Sequence, residues 1–377
     1  MIRPALGLVG AALVAVLPAA AAPPTRLEPS RLAGFVDLYM PKARGKDFEL
    51  RLASYRGDAI HNAYIVRRQG DWTRVERKEN GRTGVQQVHL PTGVVVERTD
   101  AVSGAAEVFS IRAPDRAPTP NIDYASRPTK RSWKAAGQKC RIWEVYRGVE
   151  AGYTTFTRLG CITRDGIEVA RWTTGRTGAE LGERVTGYYL YRGPVKDVEI
   201  RPAAASLDVS RWFPEPVAAT SDEVVLKTED STQALTLRRR GPRLYSETVN
   251  ADASRNIFVD GGDGATVSAR VAATGAPESY IARRGQAPVA LPVVRIDQPA
   301  ETVLGLVCAW YDAMPYVADA TRHECRTDDG LVLIVRMSAE GRQTTYRAVS
   351  VSRRPLSNAD LMPPAWLLDL ARWGAGG

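Results

Sequence analysis

The chain has 377 residues, 44% of them hydrophobic, and a formal charge of +9 from 51 Lys and Arg against 42 Asp and Glu. That length allows two domains of ordinary size, and the wealth of Thr, Val, Arg and Gly without long Leu/Ala/Glu/Lys runs reads as globular and mostly β. The charge is spread over single arginines without a basic cluster carrying interleaved aromatics, which argues against nucleic-acid binding; solvated strand faces, or attraction to anionic headgroups, lipopolysaccharide or wall polymers, remain as its reading.

"MIRPALGLVGAALVAVLPAAAAPP" begins with one cation, Arg3, runs apolar from Pro4 to Val16 and ends in small residues. This is the layout of a cleavable secretory signal, with the cut expected after Ala21 and export to the periplasm or the medium. The apolar run is shorter than the roughly 20 residues a membrane-spanning helix needs. No other segment approaches a membrane span, and no cysteine follows the small residues to take a lipid. Residues 22–45 read as an N-terminal arm with one short helix near Ser30 to Tyr39.

From Lys46 onward the pattern is strand and turn. "AYIVRRQGDWTRVERKENGRTGVQQVHLPTGVVVER" holds apolar alternation broken by Gln-Gly-Asp, Asn-Gly and Pro-Thr-Gly, all turn formers. "RAPDRAPTPNIDYASRPTKR", residues 112–131, is proline-rich and reads as a long loop or flap. Near the end of each half, "SLDVSRWF" and "PPAWLLDLARW" read as short helices, the latter with prolines suited to a first turn. Short helices are expected at the start and end of each domain.

The clearest signal is a repeat. Cys161, Thr163, Asp165 and Gly166 recur as Cys325, Thr327, Asp329 and Gly330, and the upstream Cys140 recurs as Cys308. A period this long is a duplicated domain rather than a solenoid. The expected fold is therefore mainly β, with two tandem antiparallel curved-sheet domains and a few short helices. Domain 1 spans 46–212, a linker 213–221, and domain 2 222–377. Four cysteines allow three pairings. The repeat selects Cys140 with Cys161 and Cys308 with Cys325.

In "CITRDGIEVAR" and "CRTDDGLVLIVR", Asp165-Gly166 and Asp329-Gly330 sit between strand residues and predict two-residue hairpin loops. Arg164 would then face Ile167, and Cys161 would face Ala170. Zinc binding would want close ligand pairs such as Cys-x-x-Cys, and none occurs. A redox pair would want the same spacing beside a helix start. His61, His89 and His323 lie in no recognised catalytic spacing, and an aspartate before glycine is what a turn requires. "VDGGDGATV", 259–267, lacks the ligand pattern of an EF-hand and the Lys-Ser/Thr of a P-loop, and reads as a hairpin loop. Trp143 stands three positions after Cys140, whereas Trp310 stands two after Cys308. In regular strands these offsets point to opposite faces, so a shared ligand-contacting tryptophan is not expected. Catalytic, metal and cofactor sites are expected to be absent.

The leader, the antiparallel meander, the cysteine hairpin and the terminal Asp-Leu step together resemble the periplasmic lipoprotein carriers of the LolA type, once in each half. That resemblance implies an antiparallel half-barrel closed by short helices over an apolar cavity. It also implies a non-catalytic exported protein that holds a lipid, acyl chain or lipoprotein in a concave β surface. The alternative is an envelope adaptor in which two β domains bind a protein partner.

Overall fold

A computed structural model of the chain describes residues 47–56, 59–79, 82–100, 107–113, 122–123, 127–150, 154–195, 200–215, 220–285, 293–315, 320–339 and 341–376. The expected leader, cleavage point and arm lie outside these residues, as do 114–121 and 216–219 of the expected loop and linker. What is described is mainly strand. The reason is visible along each segment: in Ser221–Lys227 the residues Asp222, Val224 and Leu226 turn inward, and Ala265–Val271 is buried at every second position. A period of two buries one face of a pleated strand and wets the other.

The strands form one large antiparallel sheet that does not close. One edge is Arg127–Ala135 together with the short Ile122–Asp123, both paired with Gln138–Glu150. The sheet continues through Thr154–Ile162, Glu168–Gly175, Glu180–Arg192 and Phe48–Arg56. Ala59–Gln69, Trp72–Glu79, Arg82–His89, Val94–Thr99 and Glu107–Arg112 follow in chain order. Glu107–Arg112 then pairs with Pro277–Arg284, setting Ile111 opposite Tyr280 and Phe109 opposite Ala282. Beyond this seam the order runs back through Ala265–Val271, Arg255–Asp260, Arg243–Val249, Ala234–Arg240 and Ser221–Lys227. Arg342–Ser352, Val332–Ala339, Ala320–Arg326 and Leu306–Asp312 complete it. Two short pieces, Val294–Arg295 and Glu301–Val303, flank that last strand.

In each half, then, a six-strand meander is followed by strands that return until the last long one pairs with the first. The seam joins the strands that end the two meanders. Register shifts, such as those at Arg51/Leu52 and Cys161/Ile162, bend the ladder. Gly187 sits at one such place, where a Cβ would come within 2.8 Å of the Val169 carbonyl oxygen, so only glycine lets those strands approach.

The helical expectations are corrected to shorter pieces. Ala204–Leu207 is one turn of α-helix, and Ser210–Trp212, Ala359–Leu361, Ala365–Leu368 and Leu370–Trp373 are 3-10 turns. Asp208 (ψ 112°) and Asp369 (ψ 105°) take extended backbone and break each helix in two. Each aspartate instead accepts an N–H two residues on, Asp208 from Ser210 at 2.8 Å and Asp369 from Ala371 at 3.0 Å. At the start of the second half the described chain enters directly as the strand Ser221–Lys227, without the expected helix.

Three large apolar clusters back the sheet, with a small fourth around Val145 and Ile162. Phe48, Leu50, Leu52, Val66 and Val75 pack with Cys140 and Cys161 in the first half. Val224, Leu226, Leu235 and Leu237 pack with Cys308, Trp310 and Cys325 in the second. The third lies at the seam, where Trp212 and Phe213 from the end of one half meet Leu361, Leu367 and Trp373 from the end of the other, over Phe109, Ile111, Val267 and Tyr280. Each fully buried large apolar side chain there contributes about 1.5–3 kcal/mol.

Candidate functional site

The repeated Cys-x-Thr-x-Asp-Gly hairpins are the natural place to look for chemistry. Gly166 and Gly330 take φ of 88° and 84°, but Asp165 and Asp329 do not enter that region. A two-residue loop of the mirror-image type needs positive φ at both central positions. The loops are accordingly three residues long. Thr163 N–H bonds the Ile167 carbonyl at 2.9 Å and Gly166 N–H bonds the Thr163 carbonyl at 3.0 Å, and both bonds recur at Thr327, Leu331 and Gly330. Thr163, rather than Arg164, therefore faces Ile167. Cys161 still faces Ala170, because the bulge beside it restores the register that the longer loop displaced.

This geometry explains the threonine and the aspartate. Thr163 Oγ1 accepts the Ile167 N–H at 3.0 Å and donates its own proton to Asp165 Oδ1 at 2.6 Å. Thr327 does the same with Leu331 and Asp329. Arg192 then grips Asp165 with two bonds, Nε to Oδ2 at 2.6 Å and Nη2 to Oδ1 at 3.0 Å. In the second half Arg353 meets Asp329 in the same way, with one bond and more exposure. The Arg192 bond, with help from Thr163, holds the Asp165 carboxyl well below the usual range. Asp329 is also lowered, chiefly by Thr327. Both carboxylates are charged turn anchors, each bonded to the threonine of its own loop and to an arginine from a later strand or its end.

Asp165→Asn is therefore expected to cost about 1–2 kcal/mol of stability, and Asp329→Asn, at a wetter pair, under about 1 kcal/mol. The sign with pH follows from the depressed folded value. The contribution is complete above the unfolded carboxyl value near pH 4 and is lost as pH falls below it. Urea melts from pH 7 down to pH 3 check this: the gap between parent and Asp165→Asn should narrow on acidification, and a constant gap would show that the ion pair is not its source.

Cys140 and Cys161 place their sulfurs 2.07 Å apart with Cα atoms at 5.4 Å, and Cys308 and Cys325 place theirs at 2.12 Å and 5.3 Å. Across the ladder Cys161 faces Ile142, and Cys325 faces Trp310. Trp310 thus occupies the position beside the disulfide that Ile142 holds in the first half, under the Arg336 guanidinium at 4.1 Å. Trp143 lies elsewhere, against Val145 and Ile162.

The remaining sequence candidates are used locally. His61 lies 3.2 Å from Glu183, and His89, its pKa lowered by burial, shares a 2.8 Å bond with Thr92. His323 stands on another strand, opposite Arg336. Among the described residues no group of three or more His, Cys, Asp or Glu could hold a metal ion. In the 259–267 hairpin, Asp260 accepts from Gly262 N–H at 2.8 Å and Asp263 from Ala265 N–H at 3.2 Å. Among the described residues no helix is long and apolar enough to cross a membrane.

One feature corrects the sequence reading. Arg127, Lys130, Arg131, Lys134, Lys139 and Arg141 stand within fifteen residues that contain no acid, on the strand that forms one edge among the described residues and on its partner, and all six are exposed. Trp133 lies among them, 36% exposed and packed edge-on against Trp172 at 5.4 Å. This is a basic cluster with an interleaved aromatic. Reading 112–131 as a single loop divided it, although the strand begins at Arg127; the acid-free run was the signal.

No family model matches the chain, and no curated protein matches it. Among solved structures, MucB is similar at 13% identity and a TM-score of 0.22, over 85% of this chain and 91% of that one. The LG1-3 region of the laminin α2 chain is similar at 9% identity and 0.14, over 84% and 86%. A putative AttH from Nitrosomonas europaea is similar at 9% and 0.13, over 82% and 94%. At these scores none of the three assigns a function, and no family model stands behind the carrier-type resemblance.

Proposed function

We propose that this chain is an exported, non-catalytic binding protein of the cell envelope, a tandem duplication of 46–212 and 222–377 that serves as a rigid adaptor for a protein partner. The observation that carries the reading is the seam. Glu107–Arg112 and Pro277–Arg284 run the two halves into one ladder, and the segments closing both halves share one apolar cluster beneath it. Arg243, almost fully buried, ties the second half to the Pro214 carbonyl oxygen, and Asn358, which it also holds, donates to the Phe213 carbonyl oxygen at 3.4 Å. Two copies held this way present fixed faces to a partner, and the turn carboxylates are committed to structure. Crosslinking in producing cells is expected to return a stable protein partner, and recovery of the chain alone would count against the adaptor.

The lipid-holding reading draws support from the apolar inner face of the first half. There, however, Phe48, Leu50, Leu52, Val66 and Val75 are all 0% exposed, so an acyl chain would enter only by displacing them. Copurified lipid, detected by mass spectrometry of organic extracts, would favour that reading over the adaptor.

A further inference from the structure

We infer that the edge hairpin Arg127–Arg141 docks the protein on an anionic lipid bilayer. Its six cations are exposed, and among the described residues none forms an ion pair. Lys134 stands directly opposite Lys139 across the ladder. Like charges in that position destabilise a sheet, and the fold supplies no acid between them. The arrangement is not a requirement of the architecture, because the far edge of the second half is built differently. There Val307 is exposed on the last strand and Val294 is exposed on the short piece beside it, and Glu301 is neutralised by Arg336 at 3.1 Å and Arg347 at 2.7 Å.

A flat anionic surface fits this edge better than an extended acidic peptide does. A peptide adding as a strand needs a regular row of free main-chain groups. Pro128 has no N–H to offer, and the register breaks between Pro128 and Ser132. Lys134 and Lys139 share one face while Trp133, opposite Cys140, belongs to the other. Long cationic side chains reaching round both sides of an edge suit headgroups met edge-on, and a half-exposed tryptophan suits the interfacial zone. The inference is independent of the adaptor reading, which rests on the seam and not on the Arg127–Arg141 hairpin.

The test is cosedimentation of the full chain with phosphatidylcholine vesicles, with and without phosphatidylglycerol. Binding is expected only with phosphatidylglycerol, and it should fall away at high salt. Lys134→Gln with Lys139→Gln should weaken it roughly 25-fold, about fivefold for each cation near an anionic surface. Lys130→Gln with Arg131→Gln should do likewise, and Lys134→Arg with Lys139→Arg should retain binding. Each variant should melt no lower than the parent. Equal binding to both vesicle types would place the affinity in apolar segments such as residues 1–21 and overturn the inference. So would capture by poly-glutamate without vesicle binding, which would mark an acidic protein partner. Glutamine variants that aggregate yet bind vesicles undiminished would reduce the lysines to edge protection, and overturn it as well.

Discussion

Trp310→Ala is expected to lower the unfolding free energy by about 3–5 kcal/mol, as truncation of a large buried aromatic does when the surroundings cannot collapse. Trp310 is 1% exposed, faces Cys325 across the ladder and shares a cluster with Leu226, Leu333 and Tyr346. Its other side carries Arg336, stacked at 4.1 Å, which in turn holds Glu301. Truncation would therefore empty a core site and release an ionic pair at the sheet edge. Ile142→Ala, at the matching position of the first half, has no stacked cation to release and should cost less, about 2–4 kcal/mol. Urea melts followed by near-ultraviolet circular dichroism check both, since the slope against urea reports the surface exposed. The apolar cluster shared at the seam should make either change shift one common transition. Two separated transitions would show that the halves unfold independently, and an unshifted Trp310→Ala melt would show that the ring is not core.

Much of the fold was legible because strands and turns are local. Alternation with period two named the strands, and glycine-containing turns separated them. The cysteine repeat was legible because its residues keep one spacing in both halves. What stayed hidden depends on contacts across long separations or on shifted spacing. Arg192 and Arg353 clamp the two hairpin turns, but they repeat at an offset of 161 residues while the hairpins repeat at 164, so their equivalence is masked by a small length change. Glu49 with Arg67 and Glu223 with Arg238 are likewise matching cross-strand pairs on the first two strands of each meander. Neither pair is visible until the register is known. Leu207-Asp208 through Arg211-Trp212 and Leu368-Asp369 through Arg372-Trp373 are matched in sequence. Nothing local says that both tryptophans meet beneath one seam. The joining of Glu107–Arg112 to Pro277–Arg284 is a pairing of edges, and either strand read alone would fit many partners.

Loss of the first bridge tests both the staple and the docking edge. In the chain-entropy account, closing loops with sequence separations of 21 and 17 stabilises by about 3 kcal/mol each, nearly equal because the dependence on length is logarithmic. Against a net stability of about 5–15 kcal/mol, either is a large share. Cys161→Ser should cost more than the pair Cys140→Ala and Cys161→Ala, since Cys161 is 0% exposed and a hydroxyl there adds a desolvation cost of about 1–3 kcal/mol. All four cysteines are at most 3% exposed, so reductant should act on the bridges only when denaturant or heat opens the sheet. Unchanged melting in both Cys161→Ser and Cys325→Ser would remove the staple reading. The two bridges should differ in one respect. Cys140 lies between Lys139 and Arg141 on the strand that supports the basic edge, so removing the first bridge should weaken vesicle binding beyond what the folded fraction explains. Removing Cys308 and Cys325 should leave that binding proportional to the folded fraction, because their bridge holds the opposite end of the sheet.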